Sequence, residues 1–188
     1  MEYICEVKYA EILNEWAKRE YGTVDKLRFH RSPILDRLPP DTKWFRVKIL
    51  REDLPSLKLI NDLSWNDLSN STGNIKTAAD NFDRFSKSPL KLPHQVLPSG
   101  ITRQQYFDRL MKKLGKFRAG AGNLKHNLTL TLISSTKTGP FTILEGNNTA
   151  MALHFRYFVD HSNLPYPDHC AYVGISPKMI YYLFYHTS

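Results

Sequence analysis

The stretch FTILEGNNTAMALHF, residues 141 to 155, sends an apolar strand directly into an apolar helix. Phe141 to Leu144 read as a buried strand, and the segment from Thr149 to Val159 reads as a helix that is apolar on nearly every side. Both elements need cover, which demands a sheet with helices packed onto it. Further strand-like segments before and after this helix place the chain in the α+β class, with a small mixed or antiparallel sheet.

The junction itself invites chemistry. A helix start exposes unpaired backbone N–H groups and a partial positive charge, so it suits an anion when the preceding turn permits approach. Gly146 removes the side chain at that turn, and Asn147 or Asn148 has the right side chain to cap the helix. Gly-Asn-Asn-Thr is also good capping chemistry for any helix. Glu145, just ahead, is placed to bind a metal, move a proton or orient a hydroxyl.

The remaining pattern frames this junction. Cys5, Tyr9, Ile12 and Trp16 recur at helical spacing, so an N-terminal helix and connection are expected over residues 1–43, with SPILDRLPPD as turns. Residues 44–50, WFRVKIL, alternate as a half-buried strand. Residues 56–126 form a polar insertion of short helical turns and loops, closed by a helix from Thr102 whose capping box pairs Thr102 with Gln105. Residues 127–144 read as an antiparallel hairpin, with Leu128, Leu130 and Leu132 alternating against threonines, and CAYVGI as a late strand. One domain over residues 1–188 is expected, its core drawn from 44–55 and 127–188.

VKILREDL and LTLTLISSTKTGPFTILEGNNTAMAL together resemble the ParB/sulfiredoxin-like superfamily. In that superfamily a strand ends in a short glycine-containing motif that opens a helix and binds the phosphates of a nucleotide. The resemblance implies a nucleotide or another phosphorylated small molecule held at Gly146, Asn147, Asn148 and Thr149. It also implies an acid drawn from Glu145, Glu52 and Asp53, Mg²⁺ accompanying a nucleotide, and phosphoryl transfer or hydrolysis. The family's basic pair is replaced here by Asn148 and Thr149, neutral donors that contribute less to phosphate binding than charged ones. Lys137, Arg118 and Lys125 are the cations considered as substitutes. A non-nucleotide substrate on the same fold is a further reading.

Charge supplies the alternative from another class. The net charge is +8, and between Arg103 and His126 seven cations face one acid, Asp108. Arg109, Lys112, Lys113 and Lys116 fall on one helix face, beside Arg118, as a non-enzymatic nucleic-acid-binding protein would arrange them. No run of about 18 apolar residues suggests a membrane span, and the charged N-terminal stretch points to a cytoplasmic protein. Cys5 and Cys170 match no metal spacing and are expected as buried thiols, and His154 as a hydrogen-bonded core histidine.

Overall fold

The computed structural model describes residues 1–120, 130–166, 169–182 and 184–186. Its centre is a mixed sheet of five strands: β1 (Glu2–Val7), β2 (Lys43–Ile49), β3 (Leu130–Ser134), β4 (Thr142–Glu145) and β5 (His169–Ile175). They lie in the order β1-β2-β5-β3-β4. The last of the described strands is therefore the middle one, antiparallel to β2 and parallel to β3. Val47 and Ile49 of β2 sit opposite Ala171 and His169 of β5, and all four are buried. Gly174 sits opposite Trp44, and a Cβ there would come within 2.8 Å of the indole, so the glycine is what lets this tryptophan lie against the strand.

Among the described residues six α-helices pack around the sheet: α1 (Tyr9–Glu20), α2 (Val24–Leu35), α3 (Leu63–Ser69), α4 (Ile75–Lys87), α5 (Arg103–Ala119) and α6 (Asn147–His154). Tyr9 of α1 stacks on Trp44 with ring centroids 5.5 Å apart, while Ile12, Leu13, Trp16 and Ala17 bury the rest of that face. The capping box on α5 forms as its sequence implies: the Gln105 amide donates to the Thr102 hydroxyl, and the Gln105 side chain accepts from the Thr102 amide. Phe107, Leu110 and Leu114 then face inward. Among the described residues no helix is long and apolar enough to cross a membrane.

Three local expectations change. Cys5 belongs to β1 rather than to the first helix, because residues 2–7 satisfy their backbone groups by pairing with β2; its thiol is exposed and that of Cys170 is half-buried. The SPIL part of the turn-rich stretch instead closes α2, a helix started by Thr23, whose hydroxyl accepts from the Lys26 amide. Residues 63–69 and 75–87 are full helices. In α4, Ile75, Ala78, Ala79, Phe82 and Phe85 make a continuous apolar face and join the same buried cluster as the sheet. The hairpin is present as β3 and β4, antiparallel, while Leu128 and Lys125 lie outside the described residues.

What brings these helices to the end of β4 is the segment from Leu57 to Asn61. The Lys58 amide donates to the Phe141 carbonyl at 2.8 Å, and the Ile143 amide donates to the Lys58 carbonyl at 2.7 Å, so this segment covers the outer edge of β4. On its other side the Leu59 amide donates to Gly73 at 2.7 Å. Buried Asn147 completes the link: its Oδ1 accepts from the Ile60 amide at 2.9 Å, and its Nδ2 donates to the Ile143 carbonyl at 3.3 Å. Truncation at Asn147 would leave a buried N–H and a buried carbonyl short of partners. We predict that Asn147→Ala costs about 2–4 kcal/mol in urea denaturation; a loss under about 1 kcal/mol would show the link to be dispensable.

Candidate functional site

A polar cavity of about 390 Å³ opens where β4 gives way to α6. Glu145, Asn147 and Asn148 form its floor, Glu20 closes it from the end of α1, and Arg31 and Ile34 come from α2. Asp62, Ser64 and Trp65 approach at the start of α3, and α5 contributes Tyr106, Arg109, Leu110 and Lys113. Phe184 completes the wall. Helical periodicity explains the α5 set, since residues three, four and seven apart share a face.

The charges in this cavity are coupled. Arg31 Nη2 lies 3.3 Å from Glu145 Oε2 and 3.7 Å from Glu20 Oε2, so one guanidinium spans two carboxylates. Burial drives the Glu145 carboxyl up to about 7, helped by the neighbouring charge of Glu20 and a hydrogen bond with it; Arg31 and the Gly146 amide pull the other way. Asp62 is likewise raised, chiefly by burial, against hydrogen bonds from Ser64 and Tyr106. The Tyr106 hydroxyl is raised by its own burial and by Asp62. A carboxyl group held near neutrality in a cleft, as Glu145 is, is suited to giving and taking protons.

Gly146 has a steric task. It holds φ at +97°, and a Cβ there would lie 2.5 Å from Leu130 Cδ2, so only glycine lets β4 turn tightly against β3. Gly146 is also the N-cap of α6, and no side chain caps the helix. The expectation that Asn147 or Asn148 would do so is thus corrected: the Asn147 oxygen is taken by Ile60, and Asn148 Oδ1, although buried, has no hydrogen-bond partner among the described residues. Arg31 Nε is another buried polar atom in the lining without a partner. Both atoms are thus available to a ligand or to water entering the cavity.

The structure brings together Glu145, Asn147, Asn148, Arg109 and Lys113, while the other sequence candidates lie elsewhere. Asp53 accepts from the Met1 amino group at 2.7 Å and from the Leu50 amide at 2.7 Å, and Glu52 is exposed beside it. Gly146 and Thr149 flank the cavity without lining it. Lys137 lies over the rings of Tyr3 and Phe45, with its ammonium 5.7 and 4.9 Å from their centroids. Arg118 is locked in ion pairs with Asp83 and Asp160. Lys112 and Lys116 are exposed outside the cavity. Arg31, Glu20, Asp62 and Tyr106 were not singled out from sequence, because nothing local marks them and only the tertiary arrangement gathers them. His154 is buried in the core as expected and stacks on Phe158, and its Nδ1 has no partner among the described residues. Among the described residues no group of three or more His, Cys, Asp or Glu side chains is arranged to hold a metal ion. Compared with models of known protein families, with curated proteins and with solved structures, the chain matches none.

The raised Glu145 carboxyl has a thermodynamic signature. Because the folded protein holds this proton more tightly than the unfolded chain, the contribution is fully present below about pH 4.5 and is lost as pH rises through about 7. Its full extent is about 3 kcal/mol. Burial lowers His154 and His186, which act in the opposite direction. The difference between wild type and Glu145→Gln isolates the carboxyl. We predict that Glu145→Gln gains stability relative to wild type by about 2–3 kcal/mol between pH 5 and 8, measured by denaturant titration; parallel pH profiles would refute a raised Glu145.

Proposed function

We propose that the chain is an enzyme acting on a small phosphorylated molecule, a nucleotide among the candidates, bound in the cavity at the start of α6. The observation that carries this reading is the convergence of three cations, Arg31, Arg109 and Lys113, with Glu145 around one polar cavity. The ParB/sulfiredoxin-like resemblance leaves the phosphate without its basic pair. In this proposal Arg31 from α2 and Arg109 and Lys113 from α5 supply the missing charge, and the Asn148 oxygen accepts from a ligand hydroxyl or N–H.

Glu145 then moves the proton. When protonated it gives a proton to a departing oxygen, and when ionised it takes one from an attacking hydroxyl or water, in phosphate-ester hydrolysis or phosphoryl transfer. Glu20 tunes this acid by sharing a hydrogen bond with it, and Arg31 holds both in place. Mg²⁺, which accompanies nucleotides in many such reactions, takes ionised carboxylates together with substrate phosphates. A Glu145 held protonated to near neutrality and a guanidinium across the pair do not fit a resident Mg²⁺.

A thermal-shift panel of ATP, CTP, GTP, ADP and inorganic phosphate, each with and without Mg²⁺, tests the reading. A ligand at a hundredfold its dissociation constant adds about 2.7 kcal/mol, or roughly 5–10 °C for a chain of this size. We expect at least one phosphorylated compound to give such a shift, and Arg109→Ala to abolish it. Glu145→Gln should keep the shift and lose turnover by about 10²–10⁴-fold. No shift with any compound, or a shift unchanged in Arg109→Ala, would count against the site.

A further inference from the structure

The cations of α5 divide into two sets. Those near the helix ends are neutralised within the protein: Arg103 pairs with Asp67, and Arg118 with Asp83 and Asp160, while its guanidinium lies 4.7 Å from the Phe155 ring centroid. Those between them are not. Among the described residues Arg109, Lys112, Lys113 and Lys116 form no ion pair with an acid, and all four are exposed. They make a row about 10 Å long along one helix face. Arg109 and Lys113 line the cavity, whereas Lys112 and Lys116 continue the row outside it.

A second feature leaves the same cavity from α2. Next to Arg31 in the chain, His30 stacks on Tyr21 with centroids 5.2 Å apart, and Phe29 meets His30 edge-on at 5.2 Å. Phe29 is 81% exposed, so its ring is open to a partner. Inside the cavity Trp65, Tyr106 and Phe184 add aromatic surface beside the cations. Aromatic rings interleaved with unpaired cations are how proteins hold single-stranded nucleic acid, rings stacking on bases and cations following the backbone. A cavity near 390 Å³ admits about one nucleotide and excludes a duplex.

We infer that the phosphorylated ligand of this site is one nucleotide of a single-stranded nucleic acid, with the flanking strand lying along Arg109, Lys112, Lys113 and Lys116 and against the ring of Phe29. This inference rests on the reading of the cavity as a phosphate site, and it assigns its substrate class. Charge complementarity selects the partner: the unpaired row repels itself in the free protein and is relieved by a polyanion. Among the described residues, the acids of the protein relieve only Arg103 and Arg118 of the α5 cations.

The test compares, by fluorescence anisotropy on the full chain, short dye-labelled single strands of DNA and RNA with a duplex of the same length, alongside the thermal shift given by a mononucleotide. A single strand should bind at least about tenfold tighter than the mononucleotide and tighter than the duplex. Lys112→Ala/Lys116→Ala lies outside the cavity and on an exposed helix face. It should weaken strand binding about tenfold and flatten the salt dependence by one to two units of slope, leaving the mononucleotide shift unchanged. Phe29→Ala should weaken strand binding several-fold with the same selectivity. A mononucleotide shift without tighter strand binding, duplex preference, or a double variant that binds strands like wild type would overturn this inference alone. Absence of binding by mononucleotide, phosphate and strand together would overturn both it and the phosphate site. Strand binding untouched by Arg109→Ala would remove the cavity from the interaction and with it the inference.

Discussion

The cavity depends on one buried amide. Asn147 sits at the first position of α6, yet its side chain points back and holds the Ile60 amide on one side and the Ile143 carbonyl on the other. It thereby fixes the chain between the sheet and α3, so that Asp62 and Trp65 stand opposite Glu145 rather than anywhere along the edge of β4. A buried amide making two hydrogen bonds of this kind specifies position more sharply than apolar packing does, because the alternative arrangements strand polar groups. The floor of the site is thus a consequence of how the β4 edge is covered.

The same burial sets the electrostatics. Removing Glu145 from water raises its proton affinity, and the low local polarizability that does so also strengthens its attraction to Arg31. Two carboxyl groups across one guanidinium leave a net preference for retaining a proton, which a lone surface glutamate would not show. The α5 cations take a different course: where the fold has an acid to offer it uses it, at Arg103 and Arg118, and the central row is left to solvent.

Much of this architecture was legible in the sequence, and the exceptions have physical causes. The hairpin of β3 and β4, the strands β2 and β5, and the capped helix α5 carry local signals that tertiary contacts reinforce. β1 was hidden because its side chains are mostly exposed and do not alternate, so only pairing with β2 makes it a strand. α4 was hidden by composition: its apolar face is regular, but the polar residues around Ser69 to Asn74 dominate the impression of loop. At the site, Glu145 stood out by its place before a glycine and a helix. Arg31, Glu20 and Asp62 come from three other elements, and no spacing along the chain brings them together.

The position of β5 bears on how the protein is made. Residues 169–175 follow the other four described strands in the chain, yet they fill the gap between β2 and β3. Until that strand leaves the ribosome, two open sheet edges face each other with nothing between them, each a template for wrong pairing. Productive closure is a long-range event with a high entropic cost, so the nascent chain has a prolonged window in which shielding by chaperones matters. A ligand site whose walls come from both sides of that gap becomes whole only once β5 has joined them.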